Sequence, residues 1–170
     1  MSKVASASDG KIIVGWREWV SLPELQLPAI KAKVDTGAKT SALHAFFVQR
    51  FRRNGSDFVR FRVHPLQRNS DLVIERESPL IDERMVSDSG GHQELRCVIE
   101  TQIDLGENQW PIEMTLTNRD SMRFRMLIGR TAMDSRIQVD PSVSYLTGKL
   151  NYRKLYHLGS KRPVSLEISR

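Results

Sequence analysis

Lys31-Ala32-Lys33-Val34-Asp35-Thr36-Gly37-Ala38 is the stretch on which the reading of this chain turns. From Ala29 to Val34 apolar residues alternate with lysines, the pattern of a strand with one buried face. Asp35 then stands at a strand end facing a cleft, and Gly37 lets the backbone turn sharply after it. The Thr36 hydroxyl can bond neighbouring backbone and stiffen the loop. Taken alone, Asp-Thr-Gly also fits an ordinary turn, because Asp and Gly favour turns for local reasons. A stiffened loop carrying a carboxylate is equally what a site needs when its groups must be placed to about half an ångström.

A second element lies far downstream, Arg125-Met126-Leu127-Ile128-Gly129-Arg130-Thr131-Ala132-Met133. Leu127-Ile128-Gly129 reads as a buried strand crossing behind the Asp35 loop. Gly129 permits close backbone approach, and a short helix starts over Thr131 to Asp134. The two elements together resemble the retropepsin-like aspartic proteases. A closer resemblance spans about Ile12 to Gly148. Lys31 to Ala45, Arg62-Val63-His64-Pro65, Thr115 to Arg119, Met122 to Arg130 and Val139-Asp140-Pro141 look like the bacterial family labelled ATP-dependent zinc protease, which is regarded as retropepsin-like. Lys39 departs from the family, which usually has Arg there; the charge survives and the bidentate fork does not.

The resemblance implies an aspartic-type peptidase, a hydrolase in which Asp35 activates a water and Thr36 and Gly37 shape its loop. It places Lys33, Ala38, Lys39 and Arg130 near the substrate or the carboxylate, and makes Leu127, Ile128 and Gly129 the support. Such chemistry needs two carboxylates sharing one proton. One Asp-Thr-Gly supplies half a site, so a two-fold homodimer is expected. Asp88-Ser89-Gly90 is a weak candidate for the other half, since no apolar strand leads into Asp88. Ser87 to His92 reads better as a hairpin tip. Ser89, Gly90 and Gly91 are candidates for a flap that closes over substrate, or for an ordinary exposed loop.

The family label is a separate question. Two His four apart on a helix, with a Glu beside the first, would place both imidazoles on one face for zinc. His44, His64, His92 and His157 are dispersed instead, although a zinc site assembled from His44, His64 and Asp35 stays open as an alternative. Gly37-Ala38-Lys39-Thr40 mimics the end of a phosphate-binding loop, yet Ala32 stands where its first glycine belongs. No metal and no cofactor are expected.

The 170 residues suffice for one core. A single cysteine excludes an internal disulfide framework, and no apolar run is long enough for a membrane span. The polar start is no secretory signal, so the expected compartment is the bacterial cytoplasm.

Short β-branched or aromatic runs recur along the chain: Lys11 to Trp16, Ala29 to Val34, Phe46 to Phe51, Phe58 to Val63, Leu72 to Ile74, Leu80 to Val86, Glu94 to Leu105, Trp110 to Thr117, Phe124 to Ile128 and Ile137 to Val139. Gly106-Glu107-Asn108 closes a hairpin. The spacing argues an all-β sandwich or barrel, and the resemblance narrows this to a closed retropepsin-like β-barrel with one short helix after Gly129. A single domain is expected over 11–158, between a disordered 1–10 and a basic tail, 159–170.

The formal charge of +6 and a pI near 9.8 point to an acidic partner. Arg60 and Arg62 alternate with Val59, Phe61 and Val63, and Arg123 and Arg125 flank Phe124. Lys31, Lys33, Lys39 and Arg130 flank the proposed site. An acidic peptide or protein is therefore the expected substrate. The resemblance sharpens this, because members are often encoded beside a ligase that adds glutamates to the C-terminus of a ribosomal protein, an acidic tail to trim. The rival reading is a non-catalytic basic β-barrel that binds RNA or acidic tails, its aromatic and arginine residues interleaved over Phe58 to Arg62.

Overall fold

Alternating and β-branched runs become thirteen strands among the described residues of this computed structural model, which are 10–118, 123–159 and 167–168. They are β1 (Ile12–Val14), β2 (Arg17–Leu22), β3 (Leu27–Val34), β4 (Ser41–His44), β5 (Phe47–Arg53), β6 (Ser56–Val63), β7 (Ile74–Pro79), β8 (Asp82–Ser87), β9 (Gln93–Leu105), β10 (Asn108–Thr117), β11 (Met126–Ile128), β12 (Ile137–Val139) and β13 (Glu167–Ile168). Two short helices, α1 (Arg130–Met133) and α2 (Tyr152–Leu155), and a 3-10 turn, Pro23–Leu25, complete the elements. The fold is mostly β with little helix.

The largest sheet has the order β10-β4-β11-β3-β2-β9-β8, and β10 also pairs with β9. Pairings therefore run from β9 through β10, β4, β11, β3 and β2 and back to β9, the last link made by Ser21 and Asp104. A second sheet has the order β13-β7-β6-β5, and β1 pairs in parallel with β12. Inside lie Leu22, Leu27, Ile30, Leu43, Ile99, Ile103, Met114 and Met126, all below 2 % exposure. Each such side chain contributes about 1.5–3 kcal/mol by leaving water.

Several expectations are corrected by this arrangement. Strands β2 and β4 were not legible. All four residues of β4 are buried between β10 and β11, so it has no polar face and no alternation. In β2 the alternation is interrupted by Glu18, which is wholly buried. Its carboxylate accepts the N–H groups of Gly15 (2.7 Å), Leu146 (2.9 Å) and Thr147 (3.0 Å), and the Thr147 hydroxyl (2.7 Å). A fully satisfied buried acid is tolerable where an unpaired one is not. The strand expected over Leu72 to Ile74 begins only at Ile74, as β7, and the single expected helix after Gly129 is joined by α2. Within the expected tail, Glu167–Ile168 adds a strand in parallel to β7. The remainder of the expected disordered segment and tail, 1–9, 160–166 and 169–170, lies outside the described residues. No helix among the described residues is long and apolar enough to cross a membrane.

Candidate functional site

The Asp35 loop is fixed from three sides. Its own Oδ1 accepts the Gly37 N–H at 2.9 Å, an Asx turn, and its N–H donates to the Ile128 carbonyl at 2.9 Å. From α1, the N–H groups of Arg130 and Thr131 donate to the carbonyls of Ala38 (2.8 Å) and Lys39 (3.0 Å), and Arg130 Nη1 donates to the Thr36 carbonyl at 2.9 Å. Gly129 is needed for this closeness. A Cβ there would stand 2.5 Å from the Thr40 carbonyl carbon, and its N–H donates to Ser41 Oγ at 3.0 Å. The chain turns at Thr36-Gly37, where the Ala38 N–H donates to the Asp35 carbonyl at 3.2 Å. The φ of Gly37 lies outside the left-handed region, and an added Cβ would meet Asp35 Oδ1 at 3.2 Å. Close approach to the carboxylate, and not an unusual backbone angle, is what the site asks of it.

Asp35 lies in a groove with two halves, which share Asp35, Ser89 and Leu127. One, of about 800 Å³, is lined by Gly37, Ala38, Lys39, Thr40 and Arg130 from the loop side and by Arg84 to Ser89, Arg96 and Thr115 opposite. The other, of about 760 Å³, is lined by Trp16, Arg17, Lys31, Lys33, Gln67, Arg68, Arg123 and Phe124. Ala38, Lys39 and Arg130 thus line the first half and Lys33 the second, with Asp35 in both. Within β11, Met126 and Ile128 point into the core while Leu127 faces the groove, so the support behind the loop is Ile128 and Gly129.

Strands β8 and β9 pair from Asp82–Val98 to Ser87–Gln93, bringing their tip over the groove. Asp88 organises that tip, its Oδ1 accepting the N–H groups of Gly90 and His92, both at 2.9 Å, with Gly91 at φ +82°. Ser89 lines both halves of the groove; Gly90 and Gly91 shape the turn.

Residues that sequence reasoning missed are Arg17, Arg68, Arg84 and Arg96. Arg84 and Arg96 face each other across β8 and β9, a juxtaposition visible only once the hairpin register is known. Arg84 is paired with Asp82 (2.8 Å) and Glu113 (2.6 Å), which raise its pKa well above the usual arginine value. Arg96, 6 % exposed, donates to Glu94 at 2.9 Å. Arg17 is pre-positioned: its guanidinium carbon lies 4.5 Å from the Trp16 ring and 5.0 Å from the Tyr145 ring, and Nε donates to Ser144 Oγ at 3.1 Å.

The arginines of β6 behave otherwise. Arg60 and Arg62 stand opposite Glu77 and Glu75, and bond them at 2.9 and 2.8 Å. Hydrogen bonding to Arg60 is the main cause holding the Glu77 carboxyl below its usual range. Arg60 and Arg62 also lie over Phe51 and Phe47. This face is compensated within its own sheet. Nor do His44 and His64 join Asp35: His44 is buried in β4, while His64 stacks on Phe46 at 4.3 Å. Among the described residues no group of three His, Cys, Asp or Glu could hold a metal ion.

A family model described as RimB-like, retropepsin-like aspartic endopeptidase RimB, matches residues 13–150. The chain belongs to this family. Three similar curated proteins are named probable alpha-L-glutamate ligase. That of Parasynechococcus marenigrum is 54% identical over 145 residues, which are 85% of this chain and 31% of that protein. That of Shewanella pealeana is 44% identical over 164 residues, 95% of this chain and 36% of the relative. That of Desulfotalea psychrophila is 47% identical over 145 residues, 85% and 31% of the two lengths. The chain thus spans about a third of the length of these curated relatives. A crystal structure of Lpg0085 from Legionella pneumophila, a protein of unknown function, matches with a TM-score of 0.64 at 29% identity, over 79% of this chain and 97% of that one.

These relatives correct the expected reaction. Asp35-Thr36-Gly37 and its supporting strand led to an aspartic-type peptidase, a protease and hydrolase; relatives at 44–54% identity are instead named as ligases that act with glutamate. Hydrolysis breaks a bond where ligation makes one. A loop that identifies a family fixes its fold more firmly than its chemistry.

Proposed function

We propose that this chain serves α-L-glutamate ligation by holding an acidic, glutamate-bearing polypeptide in the groove around Asp35. The observation that carries this reading is the charge of the second half of the groove, where Arg17, Lys31, Lys33, Arg68 and Arg123 face one carboxylate, Asp35. None of those five cations is ion-paired among the described residues, in contrast to Arg60 and Arg62. A cleft lined by one sign of charge concentrates and orients ligands of the other. Ligation onto a growing acidic chain needs a surface that keeps that chain in place, and a segment one third as long as its ligase relatives suits such a part. The ring of pairings from β9 back to β9 supports the finer reading of the main sheet as a closed barrel of the retropepsin kind.

Calorimetric titration with an oligoglutamate peptide and an oligoglutamine peptide of equal length tests the proposal. Oligoglutamate should bind, more weakly as salt rises, and oligoglutamine should not. Equal binding of the two, or none, would sink it. Mass spectrometry of the recovered peptide adds a second check: shortening that disappears in Asp35→Asn would overturn the ligation reading.

A further inference from the structure

Beside the cationic half of the groove lies a smaller cavity of about 160 Å³, walled by Trp19, Tyr152, Leu66 and Leu158 and carrying the cations Lys31 and Arg153. Lys31 and Gln67 line both spaces, so the cavity adjoins the groove. Trp19 and Tyr152 stack at 5.7 Å and 15° to form an aromatic wall, and Lys31 Nζ stands 5.3 Å from the Trp19 ring.

Of the polar side chains lining this cavity, those of Gln67 and Asn69 are engaged with the protein's own backbone, while the cations Lys31 and Arg153 lie over the Trp19 and Tyr152 rings. Gln67 donates its amide to the Arg123 carbonyl at 2.9 Å, and the Asn69 side-chain oxygen accepts the N–H groups of Asp71 (2.9 Å) and Leu72 (3.2 Å). Pro65, Leu66 and Leu158 add apolar surface. An apolar cavity of about 150 Å³ is sufficient for a benzene ring, so the volume here matches one aromatic side chain. An ammonium at its mouth favours a ring over an aliphatic group.

We propose that this cavity is a specificity subsite for one aromatic side chain, carried by the same polypeptide whose carboxylates occupy the neighbouring groove. The inference rests on the reading that the groove holds an acidic polypeptide. It adds a selection that charge cannot make: of several acidic chains, the one with an aromatic residue next to its acidic run is preferred. Lys31, at the boundary, faces the ring on one side and the carboxylates on the other.

Five peptides of equal length test this: oligoglutamate, and oligoglutamate with a Phe or a Ser at one end or the other. The Phe peptide should bind about tenfold more tightly than its Ser counterpart at one of the ends. Tyr152→Ala, with Tyr152→Leu as a second variant should the first fold poorly, should erase that ratio. Lys33→Ala should weaken Phe and Ser peptides together and preserve the ratio. If oligoglutamate binds but Phe and Ser peptides are indistinguishable, the subsite is refuted and the groove reading stands. If no peptide binds, both fall.

Discussion

The buried carboxylate of Glu18 takes both hydrogen-bond donors of Thr147, the N–H at 3.0 Å and the hydroxyl at 2.7 Å, and so clasps residues 145–148 against β2. Tyr145 of that segment covers Arg17 in the groove. Glu18→Ala would leave the N–H groups of Gly15, Leu146 and Thr147 without this acceptor. At about 1–3 kcal/mol for each orphaned buried donor, the expected loss is at least about 3 kcal/mol in a denaturant titration. Oligoglutamate affinity should fall with it, since Arg17 loses its backing. A loss below about 1 kcal/mol would contradict this account of the clasp.

Gly129→Ala tests the close approach behind the site. The added methyl group would meet the Thr40 carbonyl carbon at 2.5 Å, and backbone cannot swing aside as a side-chain tip can. Thermal unfolding should report about 1–3 kcal/mol of destabilisation. Peptide binding should weaken as well, because the displaced backbone belongs to the loop that presents Lys39 and Thr40 to the groove.

Asp35→Asn keeps the oxygen that accepts the Gly37 N–H and removes a negative charge from the groove. A groove that holds carboxylates should then bind oligoglutamate roughly two- to fivefold more tightly. Unchanged or weaker binding by calorimetry would count against an anionic ligand lying beside Asp35.

Lys33→Ala and Arg123→Ala should each weaken oligoglutamate binding by roughly two- to fivefold and flatten its salt dependence. Arg60→Ala should change it by less than about twofold, because Arg60 is compensated by Glu77 within the second sheet and lines neither half of the groove. The reverse ranking would move the acidic partner from the groove to the face of β5 and β6.

Tyr156 anchors α2 to β3, its hydroxyl donating to the Ala29 carbonyl at 2.6 Å and accepting the Ala29 N–H at 3.3 Å. Burial raises its pKa well above the ordinary tyrosine value near 10. The stability this gives is complete below about pH 10 and is lost as pH rises from there toward the higher folded-state value, because the unfolded tyrosine ionises first. Tyr156→Phe should cost about 1–3 kcal/mol at neutral pH and remove that alkaline slope. A persistent slope in the variant would assign it to other groups.

The Asp35 loop and β11 were legible because their constraints are local. A strand end, an Asx turn and a glycine at a crossing each leave a residue-level trace. The alternation of β6 was legible too, but the same alternation suggested a basic binding face that the cross-strand partners Glu75 and Glu77 compensate. Which acid faces which arginine is a matter of register, and register is set by pairing between segments that a linear reading treats separately. Strand β4 left no alternation to read, since it is buried throughout.

By itself the sequence determined a mostly-β chain, an Asp-Thr-Gly loop backed by Ile128-Gly129, and an excess of positive charge. It did so because strand period, turn chemistry and composition are carried by neighbouring residues. Only the tertiary structure decided where that charge stays uncompensated. Arg17, Lys31, Lys33, Arg68 and Arg123 come from distant parts of the chain and meet in one groove, whereas the equally basic β6 meets its own acids. Coulomb interactions depend on distance in space, which sequence separation does not encode.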